Sequence, residues 1–269
     1  IAVILNITQD HLDRHHSFDA YAKAKARILE TQAPEDCAIL NAADETCRRL
    51  AAKARAKTLW FSLSEPLTQG AWLEDDQVLI DGKPLLAASE IPLRGRHNIE
   101  NVMAAALAAG QAGAPLEGIA AAIRSFRAVE HRLEFVRKVR GVDYYNDSKA
   151  TNVDSAVKAV EAFDGPLWVI LGGKDKGSDY APLAAALAGK ARAALLIGAA
   201  APLIAEKLRG VVPVVECGTL ERAVQAAFRE AAPGDTVLLA PACASFDQFR
   251  NYEHRGEVFK NLVGQLAEE

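Results

Sequence analysis

Apolar and polar positions alternate along this chain in two different rhythms. In the first half, Ile1–Ile7 reads as a strand and Phe18–Thr31 as an Ala/Lys-rich helix. Cys37–Asn41 reads as a strand, Ala43–Ala54 as a helix and Lys57–Ser62 as a short strand. From Trp72 to Leu86 apolar and polar residues alternate around Asp81-Gly82, a hairpin turn signal. Asn98–Ala112 is an Ala-rich helix, and Pro115 and Leu116 open another that ends near Phe126. The second half is more regular. Val142–Tyr145, Leu167–Leu171, Ala194–Ile197, Val211–Glu216 and Thr236–Leu239 are short β-rich runs. Helix patterns at Asn152–Phe163, Tyr180–Ala188, Pro202–Leu208, Leu220–Ala231 and Phe246–Ala267 lie between and after them. This alternation predicts an α/β protein with βαβ units and a parallel sheet, whose ligands gather at the carboxyl ends of the strands. The polar stretch Arg127–Arg132 places a boundary near Ala128, giving domains 1–128 and 129–269.

Composition narrows the picture. Half of the 269 residues are hydrophobic, which excludes a disordered chain. The 31 Lys+Arg against 35 Asp+Glu argue against a nucleic-acid binder, which carries a basic surplus. Cys37, Cys47, Cys217 and Cys243 form no C-x-x-C pair, so reduced thiols in the cytoplasm are expected rather than a zinc site or disulfides. No apolar run approaches the roughly 18 residues of a membrane span, and no charged-then-apolar signal pattern is seen in this sequence. The chain opens directly on Ile-Ala-Val-Ile-Leu, which reads as a strand already under way. That start predicts that an N-terminal portion is missing.

Several polar clusters follow predicted strands. In Asn6–Asp13, His11 flanked by carboxylates suits a metal or a phosphate, and the same residues suit a helix cap. Asn98 and Asn101 share a helix face, placed to read a purine edge or a phosphate near the helix start, with capping by Asn98 as the alternative. Tyr145–Asn152 crowds six polar residues into one turn, more than a cap needs. His131-Arg132 sits at the predicted boundary, placed to reach a ligand there. Gly172–Ser178 combines paired glycines with lysines, the chemistry of an anion-binding turn or of a solvated loop. In Pro241–Phe249, Ser245 suits a helix cap or a carboxylate ligand, and Cys243 reads as a buried small hydrophobe. No segment matches G-x-x-x-x-G-K-[ST].

Together these segments resemble the Mur ligase family. The carrying motifs are N-I-T-Q-D-H-L-D at Asn6–Asp13, Y-A-K-A-K-A-R-I at Tyr21–Ile28 and G-R-H-N-I-E-N at Gly95–Asn101. They continue with H-R-L-E at His131–Glu134, N-D-S-K-A-T-N at Asn146–Asn152, L-G-G-K-D-K at Leu171–Lys176 and P-A-C-A-S-F-D-Q-F-R-N-Y-E-H-R-G at Pro241–Gly256. N-D-S-K-A-T-N and P-A-C-A-S-x-D-Q-F point to the D-glutamate-adding branch. The resemblance implies a Rossmann-like C-terminal domain and the latter part of a central α/β ATP-binding domain. The family's phosphate loop would precede Ile1.

The chemistry it implies is ATP-dependent addition of D-glutamate to UDP-N-acetylmuramoyl-L-alanine through an acyl phosphate, in peptidoglycan precursor synthesis. Two Mg2+ ions are implied, held by His11 and by Lys25 as a carbamate. Asn98, Asn101, Arg132 and Asp147 match ATP-binding positions. Lys149, with a catalytic role, and Thr151, Lys176, Ser245, Phe246 and Tyr252 match the D-glutamate region. Tyr252 stands where many relatives carry Phe. The order of residues in Lys174–Ser178 leaves Lys174 and Lys176 as alternatives. A cytoplasmic monomer, inactive without the missing segment, is expected. Another Mur ligase, a folylpolyglutamate synthase-like ligase and a non-catalytic nucleotide-binding fragment are the competing readings.

Overall fold

The computed structural model describes residues 1–10 and 12–267. Contacts divide the chain into two compact units, Ile1–Arg127 and Ala128–Glu269.

The first unit is one six-stranded sheet laid down in chain order: β1 (Ala2–Ile4), β2 (Cys37–Asn41), β3 (Lys57–Ser62), β4 (Gly70–Glu74), β5 (Gln77–Ile80) and β6 (Lys83–Ala87). Strands β1 to β4 are parallel, and β4 to β6 form an antiparallel meander. Its helices are α1 (Leu12–His15), α2 (Phe18–Ala26), α3 (Glu45–Ala51), α4 (Arg96–Gln111) and α5 (Leu116–Ser125). Strand β2 is buried along its whole length, and its alternate residues face two cores. Ile39 packs with Val102, Met103 and Leu107 of α4 and Ile119 of α5. Ala38 and Leu40 pack with Ala22 of α2 and Cys47 of α3. That is why this run carries no polar alternation. Ser17 caps α2 through Ala20 N, and Asp44 caps α3 through Cys47 N.

Two expectations change here. The strand predicted over Ile1–Ile7 covers only Ala2–Ile4, and beyond it Ile7 N donates to Asp44 Oδ2 at 3.1 Å rather than to a strand. The alternating stretch 72–86 contains two hairpin turns, not one. Asp75 and Asp76 adopt positive φ like Asp81 and Gly82, so each pair forms a tight reversal.

The second unit is a six-stranded sheet in the order β11-β10-β9-β12-β8-β7. Its strands are β7 (Glu134–Val139), β8 (Val142–Asn146), β9 (Leu167–Gly172), β10 (Ala191–Ile197), β11 (Val214–Gly218) and β12 (Thr236–Leu239). All are parallel except β7, which pairs antiparallel with β8. Helices α6 (Val153–Glu161), α7 (Ala181–Leu187) and α8 (Ala201–Leu208) cover one face, packing on Leu167, Val169 and Leu171. Helices α9 (Leu220–Glu230) and α10 (Tyr252–Gly264) cover the other, packing on Ile170, Leu195 and Val237. Strand β7 was not predicted from sequence. It is an edge strand turned by Arg140 and Gly141, both at positive φ, and its half-polar pattern reads as loop. Helix α10 starts at Tyr252 instead of Phe246. Its cap is Asn251, whose Oδ1 accepts from His254 N at 2.8 Å, not Ser245. Ser245 instead closes a turn, its carbonyl accepting from Gln248 and Phe249 N–H. No helix among the described residues is long and apolar enough to cross a membrane.

Candidate functional site

The loops after β8, β9 and β12 lie at one edge of the second sheet, its carboxyl end. Loops after β8 and β9 lead to helices on one face, whereas the loop after β12 leads to α10 on the other. Such a reversal opens a crevice at the strand ends. The chain reaches that edge through Gly172, at φ +119°, where a Cβ would run into the Ile197 carbonyl oxygen. The following Lys174 forms a two-way backbone bridge with Ala244 (2.8 and 3.1 Å), tying the β9 loop to the β12 loop.

The β8 loop carries most of the polar network. Asn146 is fully buried. Its Nδ2 lies 2.9 Å from His131 Nδ1 and 3.0 Å from Glu134 Oε2, and its Oδ1 accepts from Ser148 N at 3.1 Å. Lys260 holds Glu134 from α10 at 3.1 Å. The His131 ring lies against α10 where residue 256 is glycine, with its Nδ1 nearest. A Cβ there would overlap the ring, 2.8 Å from Cε1 and 3.0 Å from Cγ. Next along the loop, Ser148 Oγ donates to the Tyr252 carbonyl at 2.8 Å.

Arg255, also fully buried, anchors this corner. Its Nε donates to Ser148 Oγ (2.9 Å), Nη2 to the Ser148 carbonyl (2.9 Å) and Nη1 to the Cys243 carbonyl (3.2 Å). Burial pulls its pKa down to about 10. These hydrogen-bond acceptors are neutral, and the nearby Asp247 carboxylate favours the charged guanidinium without bonding to it. Lys149 Nζ sits 3.7 Å from the centroid of the Tyr252 ring, a cation–π contact at the site's rim. Burial pushes the Asp147 carboxyl up to about 7, against the opposing pull of the Leu133 N–H and of Arg132. Asp175 is also pushed up by burial. The Tyr180 hydroxyl, which donates to it at 2.7 Å, and the neighbouring N–H groups outweigh that and hold it below its ordinary value. Tyr180 also meets Cys243 Sγ at 3.1 Å, and burial raises this thiol to about 11. Cys243 is therefore a buried small side chain, as its surroundings in sequence implied, and not a nucleophile.

Of the residues singled out in sequence, Asp147, Lys149 and Thr151 share the β8 loop, with Tyr252 against Lys149. Arg132 is exposed just before β7. Lys176 is half-buried in the β9 loop, and Lys174 beside it is exposed. Ser245 is buried in the β12 loop, and Phe246 is 67% exposed. In the first unit, Asn98 and Asn101 do share a face of α4. Asn101 Nδ2 donates to Asn98 Oδ1 at 3.1 Å, and Asn98 Nδ2 donates to the Arg94 carbonyl at 2.7 Å. Gly95 takes the cap position, so Asn98 is not the cap. Lys25 is exposed on α2, its Nζ 5.4 Å from the Tyr21 ring centroid. His11 lies outside the described residues. Among the described residues no three His, Cys, Asp or Glu side chains are grouped to hold a metal ion. The structure adds Arg255 to the site's framework and gives His131 and Asn146, both within polar segments singled out in sequence, their partners. The role of Arg255 had no signal of its own in sequence, because it lay inside a stretch read as helix.

An apolar groove of about 400 Å³ lies between α4 and α5, lined by Val102, Ala106, Ile119, Ile123 and Phe126 among others. Asn101 is its one polar lining residue, so it offers little to orient a charged substrate.

Comparison with known proteins agrees with this layout. Residues 1–109 match the Mur ligase middle domain, and residues 131–243 match the Mur ligase glutamate ligase domain. The chain is 62% identical over 266 residues to a UDP-N-acetylmuramoylalanine--D-glutamate ligase of Solibacter usitatus, covering 99% of this chain and 60% of that protein. It is 55% identical to the enzyme of the same name from Acidobacterium capsulatum, covering 98% and 58%. The chain thus spans about three fifths of the length of these relatives. Among solved structures, it resembles a pseudomurein peptide ligase type C from Methanothermus fervidus, with TM-score 0.75, 19% identity and coverage of 98% and 63%. It also resembles a MurF ligase from Thermotoga maritima in complex with ADP, with TM-score 0.70, 16% identity and coverage of 99% and 62%. At these identities the structural likeness speaks for the fold.

Proposed function

The chain belongs to the Mur ligase family, carrying its middle and glutamate ligase domains, and on that premise we propose that its whole protein joins D-glutamate to UDP-N-acetylmuramoyl-L-alanine at the expense of ATP. The substrate carboxylate attacks the γ-phosphorus of ATP, forming an acyl phosphate and releasing ADP. The D-glutamate amine then attacks the acyl carbon, and the tetrahedral adduct expels phosphate. Most of the catalysis is positioning and charge stabilisation.

This chain's residues suit those tasks. Lys149, Thr151, Lys176 and Ser245 supply cations and donors for the two carboxylates of D-glutamate, with Phe246 and Tyr252 beside them. Lys149 held against Tyr252 at 3.7 Å is the observation that carries the reading: it fixes a cation at the strand ends without neutralising it. In the second unit Asp147 is assigned to the ribose and Arg132 to phosphate. In the first, Asn98 and Asn101 are assigned to adenine. The magnesium that Mur ligases use would be held by His11 and a carbamylated Lys25, at two sites. The described residues alone do not form a donor set. A cytoplasmic monomer is part of the same reading.

The test follows phosphate release by this chain extended to its relatives' length, with ATP and UDP-N-acetylmuramoyl-L-alanine. Release is expected to require D-glutamate. Lys149→Met is expected to raise the KM for D-glutamate about 10- to 100-fold, the range for losing a charged hydrogen bond. Release driven equally well by another amino acid overturns the assignment.

A further inference from the structure

Three contacts fix the Asn146 side chain without ambiguity. Its Oδ1 faces the Ser148 N–H, which can only donate, at 3.1 Å. Its Nδ2 faces Glu134 Oε2 at 3.0 Å, on a carboxylate that also accepts from the His131 backbone N–H at 2.9 Å and from Lys260. Turning the amide over would set donor against donor and oxygen against oxygen. Nδ2 therefore also donates to His131 Nδ1 at 2.9 Å, and Nδ1 must be the unprotonated nitrogen of the ring. The proton of the neutral imidazole is left on Nε2. Among the described residues Nε2 has no hydrogen-bond partner. The ring cannot easily turn, since Gly256 lies beneath it and the Tyr252 ring meets it edge-on, with centroids 6.1 Å apart.

We propose that Asn146 is a positioning residue that holds His131 as the Nε2–H tautomer, so that this nitrogen donates to an anionic phosphate oxygen of the nucleotide or of the acyl phosphate. The donor role rests on the ligase reading, whereas the tautomer does not. Asn146 touches no substrate and acts through the ring, in the way a partner hydrogen bond selects which histidine nitrogen carries the proton.

The tautomer is read by NMR of the chain with 15N-labelled imidazoles, at a pH about two units above the ordinary imidazole value. His131 is assigned by its loss in His131→Gln. The parent is expected to show Nε2 protonated and Nδ1 bare. Asn146→Leu removes the donor and is expected to give a mixture of tautomers. Asn146→Asp presents an acceptor of the same shape and is expected to move the proton to Nδ1, and it serves if the leucine variant does not fold. In the chain extended to its relatives' length, a variant with altered tautomer should lose about 10- to 100-fold in kcat. A parent protonated on Nδ1, or an altered tautomer with unchanged kcat, overturns the proposal. An enzyme that releases no phosphate with D-glutamate removes the ligase reading and the donor role. The NMR signal still decides whether Asn146 sets the ring.

Discussion

Replacing Gly256 with alanine sets two effects against each other. In a bare helix alanine is better than glycine by about 0.8–1.0 kcal/mol, so propensity alone predicts a more stable α10. Here the added methyl would overlap the His131 ring, 2.8 Å from Cε1 and 3.0 Å from Cγ. The ring is buried, its backbone is at φ 64°, and Nδ1 is tied to Asn146, so it has little room to yield. Overpacking of a filled core costs about 1–3 kcal/mol. Displacing the ring would also leave Asn146 short of a partner, at about 1–3 kcal/mol. The net expectation is a loss of about 1–5 kcal/mol from the second unit. Urea titration reads it. Replacing Trp60 and Trp72 with phenylalanine leaves Trp168, on β9, as the reporter of the second unit. The midpoint should fall with an unchanged slope. Gly264→Ala in the same helix is the control. Nothing lies within 4 Å of its Cβ, so it should gain up to about 1 kcal/mol. In a His131→Ala background the Gly256→Ala penalty should vanish. A Gly256→Ala protein that is stabilised like the control, or a penalty that survives removal of the ring, would refute the reasoning.

Asp147 makes stability depend on pH. Burial raises its pKa to about 7 from the ordinary 3.8, so between those values the folded chain binds the proton that the unfolded chain has lost. Stability should therefore fall as pH rises from about 4 to about 7, and Asp147→Asn should lack that component when its urea midpoints are compared with the parent's across the range. All four cysteines are free and buried, and burial raises Cys47 to about 12 and Cys243 to about 11. A small disulfide reagent at pH about 8 should label none of them in the folded chain and all of them in denaturant, and prompt labelling of a folded thiol would contradict the burial.

How much of this was legible in sequence depended on where each residue's partner lay. Cys37–Asn41, Lys57–Ser62 and Thr236–Leu239 are strands with the predicted bounds, since a short apolar run between helices has few other uses. Strand β7 escaped because an edge strand need not alternate cleanly, and Arg140-Gly141 is a weaker turn signal than Asp81-Gly82. The second turn, Asp75-Asp76, escaped because two aspartates rarely announce a left-handed pair. Ser245 looked like a cap because its type is right, but the hydrogen bonds that place the cap belong to Asn251, six residues on. At the site, the polar crowding of Tyr145–Asn152 was visible because it exceeds what capping needs. Arg255 and Gly256 were not visible as a pair, because their meaning comes from Ser148 and His131, more than a hundred residues away in the chain.

The two sheets also differ in how they can be assembled in time. Every strand of the first pairs with the strand just before or after it in sequence, so that sheet can zip up as the chain emerges. The second cannot. Its β12 is the last strand made, yet it lies between β8 and β9, the two strands that begin the parallel run. Until β12 arrives, β8 and β9 have an open slot between them, with exposed backbone and apolar side chains on both walls. Non-local closure of this kind is slow and leaves sticky edges exposed while it waits. The second unit is therefore the part of the fold whose sheet must wait for its last strand before it can close.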